Sequence, residues 1–167
     1  EQLDELNKLD NKIKVGVIGL GFVGSSILKS LKLKGCDIKG HDIAKESDTF
    51  QETVESDILF LALPTVYDAE KKEYDKSCII EVLKNLENCN YTGLVVIKST
   101  VEPKTTDKLA NKFKILKLVH NPEFLTAATA FEDFHNQKHI VLGKSNNVSD
   151  KELKILEEFY NRYYDIT

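Results

Sequence analysis

At 167 residues, with 41% hydrophobic and 30% charged side chains, the chain holds enough apolar material for one core of ordinary size. A formal charge of -4 with no Lys/Arg stripe argues against a nucleic-acid partner, and the longest apolar run, 58–63, is too short to cross a bilayer. No basic start leads into an apolar segment, so the expected compartment is the cytoplasm and the expected partner a small molecule.

Residues 1–12 are polar apart from Leu3, Leu6 and Leu9 and read as a tail, while 13–167 read as one domain. The lack of any Met suggests a trimmed or partial polypeptide. From Ile13 onward, short runs rich in Val, Ile and Leu alternate with longer amphipathic stretches, the pattern of parallel strands joined by helices. Strands are expected at 13–18, 37–41, 58–63, 94–97, 115–119 and 140–142. The first runs into Gly19-Leu20-Gly21-Phe22-Val23-Gly24, a G-x-G-x-x-G turn. That turn opens a helix whose Val23, Ile27, Leu28 and Leu31 share one face and which Gly35 can end in a left-handed cap.

In this turn Gly19 permits the tight bend, Gly21 lets the backbone approach a pyrophosphate, and Gly24 lets helix and strand pack closely. N–H groups at the helix start then face the phosphates. A glycine turn alone is also compatible with no ligand. Asp42, 18 residues beyond Gly24 at the end of the second strand, lowers that alternative, because its carboxylate can accept the ribose hydroxyls of NAD and repel the 2′-phosphate of NADP. Lys45 leaves a small opening for NADP, and His41 reads either as an adenine contact or as an ordinary strand-end histidine.

Further along, Ile79, Ile80, Leu83 and Leu86 form one helical stripe. Leu153, Leu156, Phe159, Tyr160 and Tyr163 form another, started by Ser149 or Asp150. Residues 70–73 read as a solvated loop, and Tyr160, Tyr163 and Tyr164 as packing residues or a contact with a further domain. Cys36, Cys78 and Cys89 show no C-x-x-C spacing and read as thiols in or near the core. His135 and His139 fall where a helix gives way to a strand, so no metal site is expected. The expected fold is α/β, a Rossmann-type doubly wound unit with a mainly parallel six-stranded sheet and helices on both faces.

Three more segments lie just past expected strand ends. Ala62-Leu63-Pro64-Thr65 is similar to a V-P-T-P segment, Lys98-Ser99-Thr100-Val101-Glu102-Pro103 to a K-S-T-V-P-P turn, and Asn121-Pro122-Glu123-Phe124-Leu125 matches N-P-E-F-L. With the glycine turn they make residues 13–143 resemble the UDP-glucose/GDP-mannose dehydrogenase family. The resemblance implies the NAD-binding domain of an enzyme that oxidises a nucleotide sugar's primary alcohol twice, with UDP-glucose the commonest substrate in the family. Two NAD are reduced, and a cysteine thiohemiacetal and thioester form between the steps.

For Thr100 the resemblance implies a hydroxyl near the reacting carbon and catalytic water, although this Thr also reads as the cap of a helix starting near Pro103. For Glu123 it implies a carboxylate at the reacting centre, against the reading of a surface loop acid. Cofactor contacts fall to Gly19, Gly21, Phe22, Val23, Gly24, Asp42, Lys45, Leu63, Pro64, Thr65, Ser99 and Thr100. The family's catalytic Cys and Lys come from regions downstream, so these residues alone are expected to bind cofactor without turnover; relatives commonly form homodimers.

The sequence departs from the family in three places. Ala127 stands where N-P-E-F-L-x-E-G carries its second carboxylate, with Glu132 and Asp133 the nearest acids downstream. Only the 14 residues 43–56 join the second and third strands, and Glu102-Pro103-Lys104-Thr105 replaces a glycine-containing turn. Other readings are an NAD(H)-sensing regulatory Rossmann domain, the amino domain of a β-hydroxyacid-type dehydrogenase, and a cofactor-free scaffold. Thr100 and Glu123 past strand ends favour the nucleotide-sugar dehydrogenase.

Overall fold

Side-chain alternation along the strands decides how the molecule is layered. Val15, Val17, Ile58, Phe60, Leu94, Val96 and Val119 bury on one face of a sheet, and Ile18, Leu59, Leu61, Val95, Ile97 and Leu118 on the other. Both faces are apolar, so both are covered by helices. The computed structural model describes residues 13–123 and 125–166; the 1–12 segment, Phe124 and Thr167 lie outside the described residues.

The elements run β1 (Lys14–Ile18), α1 (Phe22–Leu33), β2 (Asp37–His41), α2 (Phe50–Thr53), β3 (Ile58–Leu61), β4 (Tyr67–Asp68), β5 (Glu73–Tyr74), α3 (Ser77–Asn88), β6 (Leu94–Ile97), α4 (Thr105–Lys112), β7 (Lys117–His120), α5 (Ala130–His135), β8 (Gly143–Lys144) and α6 (Asp150–Tyr163). The main sheet has the order β2-β1-β3-β6-β7-β8, parallel throughout except for β8. Helices α1, α5 and α6 cover the first face through Ile27, Leu31, Phe134, Leu156, Phe159 and Tyr160. Helices α3 and α4 cover the second through Ile79, Leu83, Leu86, Leu109 and Ala110. The chain leaves β1 for β2 on one side and returns to β3 on the other, so the switch in strand order opens a crevice at the carboxyl ends of β1 and β3. This is the doubly wound α/β architecture expected from the sequence.

The caps follow local chemistry. Helix α1 ends at Gly35, φ +84°, where Cys36 N–H donates to the Leu31 carbonyl at 2.9 Å. Helix α6 begins with a capping box in which the Ser149 hydroxyl accepts from Glu152 N–H at 3.1 Å and Glu152 reaches back to Ser149 N–H at 3.1 Å. Ser149→Ala should therefore cost about 1 kcal/mol in urea denaturation. A loss below about 0.3 kcal/mol would mean that tertiary packing alone sets the start of this helix.

The structure corrects four expectations. Residues 140–142 form no strand. The Val141 carbonyl is taken by the Asn121 side chain at 2.8 Å, and pairing with β7 begins only at Gly143 and Lys144, antiparallel. The third strand stops at Leu61 rather than at 63, because the Ser99 hydroxyl accepts from Leu63 N–H at 3.0 Å and donates to the Leu63 carbonyl at 2.7 Å in place of the ladder. The fifth strand begins at Lys117 rather than 115, since Leu116 N–H closes a turn onto Phe113. Of the cysteines only Cys36 is buried; Cys78 and Cys89 are exposed at the two ends of α3. Residues 70–73 are exposed, within the short hairpin of β4 and β5. Tyr160 and Tyr164 are core residues and Tyr163 packs at the edge of the core.

Candidate functional site

Segments that follow β1, β2, β3, β6 and β7 converge on one cleft of about 830 Å³. Its lining includes Gly19, Gly21, Phe22, Val23, Asp42, Leu63, Pro64, Thr65, Ser99, Thr100 and Glu123. Two residues picked from the sequence stand apart. Gly24 is buried behind the turn, and Lys45 is exposed outside the lining, with its Nζ donating to the Leu20 carbonyl.

Gly19 has φ +94°, and a Cβ there would meet the Ala62 carbonyl oxygen at 2.4 Å. A Cβ on Gly24 would lie 1.7 Å from the Gly19 oxygen, so turn and helix are in contact with no side chain between them. Above Gly21 a Cβ would meet nothing within 4 Å. Helix α1 has no side-chain N-cap and no acid in its first turn. Its first N–H groups thus face open space beside a residue with no side chain, an arrangement that fits an anionic group such as a pyrophosphate.

Asp42 closes one end. Its Oδ2 accepts from Leu20 N–H at 2.8 Å and its Oδ1 from Ala44 N–H at 2.8 Å. These two bonds hold the carboxyl below the usual carboxylate range, and each oxygen keeps a second lone pair. His41 is fixed at the strand end, with Nδ1 2.9 Å from the Asp48 carbonyl and its ring edge-on to Phe50.

The floor at the other end is a buried polar cluster. Lys98 continues the β6 alternation beyond Val96 and so enters the first core, where its side chain is 1% exposed. Its Nζ pairs with Glu123 Oε1, donates to Asn121 Oδ1 at 2.7 Å and lies 5.6 Å from the Phe134 ring centroid. Asn121 also accepts from the Tyr160 hydroxyl and donates to the Val141 carbonyl at 2.8 Å. Burial pushes the Lys98 ammonium down to about 8, against the opposing pull of Glu123. Burial likewise lowers His120 next in the chain to Asn121.

Thr100 is exposed in the loop after β6. It is no helix cap, because α4 starts only at Thr105 after Lys104 takes φ +70°. Its carbonyl accepts from the Thr65 hydroxyl at 2.7 Å. Two residues on, Glu102 accepts from Tyr74 N–H at 2.5 Å and pairs with Lys76 at 2.9 Å, bonds that lower its carboxyl to about 2. Glu102, placed where the resembling turn has Pro, thus ties the β4–β5 hairpin to the Thr100 loop.

The family model described as UDP-glucose/GDP-mannose dehydrogenase family, NAD binding domain, matches residues 43–164. The chain belongs to this family. Among curated proteins it is similar to the UDP-glucose 6-dehydrogenase of Campylobacter jejuni, 33% identical over 107 residues covering 62% of this chain and 27% of that protein. It is also similar to that of Streptococcus pneumoniae, 32% identical over 93 residues covering 56% of this chain and 23% of that one. The chain thus spans about a quarter of the length of these relatives. Among solved structures, a UDP-glucose dehydrogenase from Pyrobaculum islandicum superposes with a TM-score of 0.77 at 22% identity, covering 92% of this chain and 45% of that one. A GDP-mannose dehydrogenase from Pseudomonas aeruginosa gives 0.73 at 20%, covering 89% and 44%. These two likenesses carry the fold.

As a member of this NAD-binding domain family, the chain keeps its motif segments around one cleft while altering their edges. Ala127 is exposed in a turn and supplies no carboxylate. Neither Glu132 nor Asp133 reaches the cleft; Asp133 instead accepts from the Thr129 hydroxyl at 2.7 Å. Of the residues inside the motifs, Lys98 carries no expected role, and Asn121 only that of holding Glu123, with Pro122, in a turn after a buried strand. The available signal was a Lys directly continuing a four-residue apolar strand. The outer stripe of α3, where Cys78, Glu81, Val82 and Asn85 line the cleft, has no expected role in the sequence either. Among the described residues no group of His, Cys, Asp and Glu could hold a metal ion, and no helix is long and apolar enough to cross a membrane.

Proposed function

We propose that this chain binds NAD in the cleft and forms the cofactor-bearing part of an enzyme that oxidises the primary alcohol of a nucleotide sugar, UDP-glucose before others. One observation carries the reading: a single cleft joins a glycine turn open above Gly21, a carboxylate at Asp42, and Thr100 with Glu123 at its far end. The names of the curated relatives support the substrate class.

The start of α1, with Gly21, Phe22 and Val23, takes the pyrophosphate on backbone N–H groups. Asp42 accepts the ribose hydroxyls on its remaining lone pairs, and Lys45 flanks it from the Leu20 carbonyl. Leu63, Pro64, Thr65 and Ser99 wall the stretch between, held by the Ser99 hydroxyl. When bound, NAD supplies the hydride acceptor for the alcohol carbon. Thr100, whose hydroxyl makes no hydrogen bond among the described residues, positions the substrate oxygen or a water. Glu123, with Oε1 committed to Lys98, keeps Oε2 to accept a proton at the reacting centre.

Calorimetric titration with NAD and with NADP tests this. The ionised Asp42 should favour NAD by about tenfold or more, since a charge pair at 4 Å is worth about 1 kcal/mol in water and about 4 kcal/mol near a protein surface. Asp42→Asn should narrow that gap. Absence of saturable binding by either dinucleotide would refute the cofactor reading.

A further inference from the structure

Strands β3 and β6 are neighbours in the sheet, so the segments that leave their carboxyl ends run out side by side. Three side chains fasten these segments together. Ser99 holds both backbone polar groups of Leu63, and the Thr65 hydroxyl donates to the Thr100 carbonyl. Glu102 makes the third link. Its Oε1 accepts from Tyr74 N–H at 2.5 Å, and its Oε2 accepts from Lys76 Nζ at 2.9 Å and from the Thr105 hydroxyl at 3.4 Å. At the base of the hairpin Asp75 N–H donates to the Val66 carbonyl at 2.8 Å, so a hold on Tyr74 and Lys76 extends to Thr65. Among the described residues, the other hydrogen bonds of 67–74 stay within the hairpin and its base. The first two links join residues that line the cleft, whereas Glu102, Tyr74 and Lys76 stand outside the lining.

We propose that Glu102 is a positioning residue for the end of the cleft that takes the nicotinamide and its ribose. The inference rests on the NAD reading above and assigns a part to a residue that touches no cofactor atom. Pro64, Thr65 and Thr100 wall that end, and they lie on segments beyond the last strand residues Leu61 and Ile97. A segment left to fluctuate must be ordered by the ligand, which weakens binding; one already held needs no such ordering. Bonds to an ionised carboxylate are stronger than neutral ones, and this carboxylate also takes the hydroxyl of Thr105, where α4 begins. The hairpin base is thereby fixed to a helix start rather than to a second loop. The opposite end of the cleft, at Asp42, is held by bonds from Leu20 and Ala44 that do not involve this link.

The test is calorimetric titration of the unaltered chain, Glu102→Ala and Glu102→Gln with NAD and with ADP, which lacks the nicotinamide and its ribose. Glu102→Ala should weaken NAD about fivefold to tenfold while ADP stays within about twofold. Glu102→Gln keeps an acceptor for Tyr74 N–H but loses the charge facing Lys76, and should fall between. The Glu102 side chain is 30% exposed, so the fold tolerates both changes. Hydrogen exchange at the Tyr74 amide should quicken about tenfold in Glu102→Ala. An equal loss for both ligands would mark a general structural effect and overturn the positioning role, as would an unchanged NAD affinity. Unchanged exchange at Tyr74 would overturn the link itself. Binding of neither ligand by the unaltered chain would overturn the NAD reading, and this inference with it.

Discussion

Lys98→Met should destabilise the chain by about 3–5 kcal/mol, because it leaves the Glu123 carboxylate, 9% exposed, without its counter-charge. In a domain of this size that corresponds to a fall in Tm of about 10 °C. The double variant with Glu123→Leu should recover most of the loss, since replacing both members of a buried pair by apolar groups is far less costly than removing one. A single-variant loss under about 1 kcal/mol would show that water reaches Glu123 and compensates for the missing ammonium.

Acidity offers a second readout of the same residue. Burial lowers Lys98 from the usual 10.5 to about 8, so between these values the unfolded chain binds more protons at this position than the folded one. Stability from this group therefore rises with pH through that window and is flat below it. The buried hydroxyls of Tyr91, Tyr160 and Tyr164, all raised by burial, act in the opposite sense at higher pH. The difference between the unaltered chain and Lys98→Met from about pH 8 to 9.5 isolates Lys98.

The second large effect separates two glycines of one turn. Gly24→Ala should cost about 2–3 kcal/mol and abolish measurable NAD binding, because the new Cβ lies 1.7 Å from the Gly19 oxygen and helix and turn must part. Gly21→Ala should leave thermal stability nearly unchanged, as nothing stands within 4 Å of the added methyl, yet weaken NAD by about tenfold or more by filling the space above the turn. Should Gly21→Ala bind NAD normally, the dinucleotide does not approach the backbone there.

Much of this architecture is legible in the residues because the constraints are local. The apolar run at 94–97, the left-handed positions at Gly19 and Gly35, and the Ser149–Glu152 box each follow from a few neighbouring side chains. What escaped depends on contacts distant in sequence. Residues 140–142 have the composition of a strand, yet an amide 20 positions away takes the Val141 carbonyl. The β4–β5 hairpin is only two residues on each side and is held through Glu102, 28 positions from Tyr74. Lys98 looks like the end of a strand at the water line, and only Glu123, Asn121 and Phe134 make a place for its charge inside. The 78–85 stripe was hidden because helical spacing distinguishes a buried face from the rest but not solvent from a cleft.

The bond from the Tyr160 hydroxyl to Asn121 sets a limit on how this domain can be divided. By strand count the cleft is complete at β7. The carboxylate at its floor nevertheless rests on an ammonium whose amide partner is shared with a helix starting thirty residues later. Recombination or excision that joined this half to another partner before α6 would preserve every motif in the primary structure and still deliver an unsupported Glu123. The unit that supports Glu123 therefore runs through Tyr160, whose helix also covers one face of the sheet.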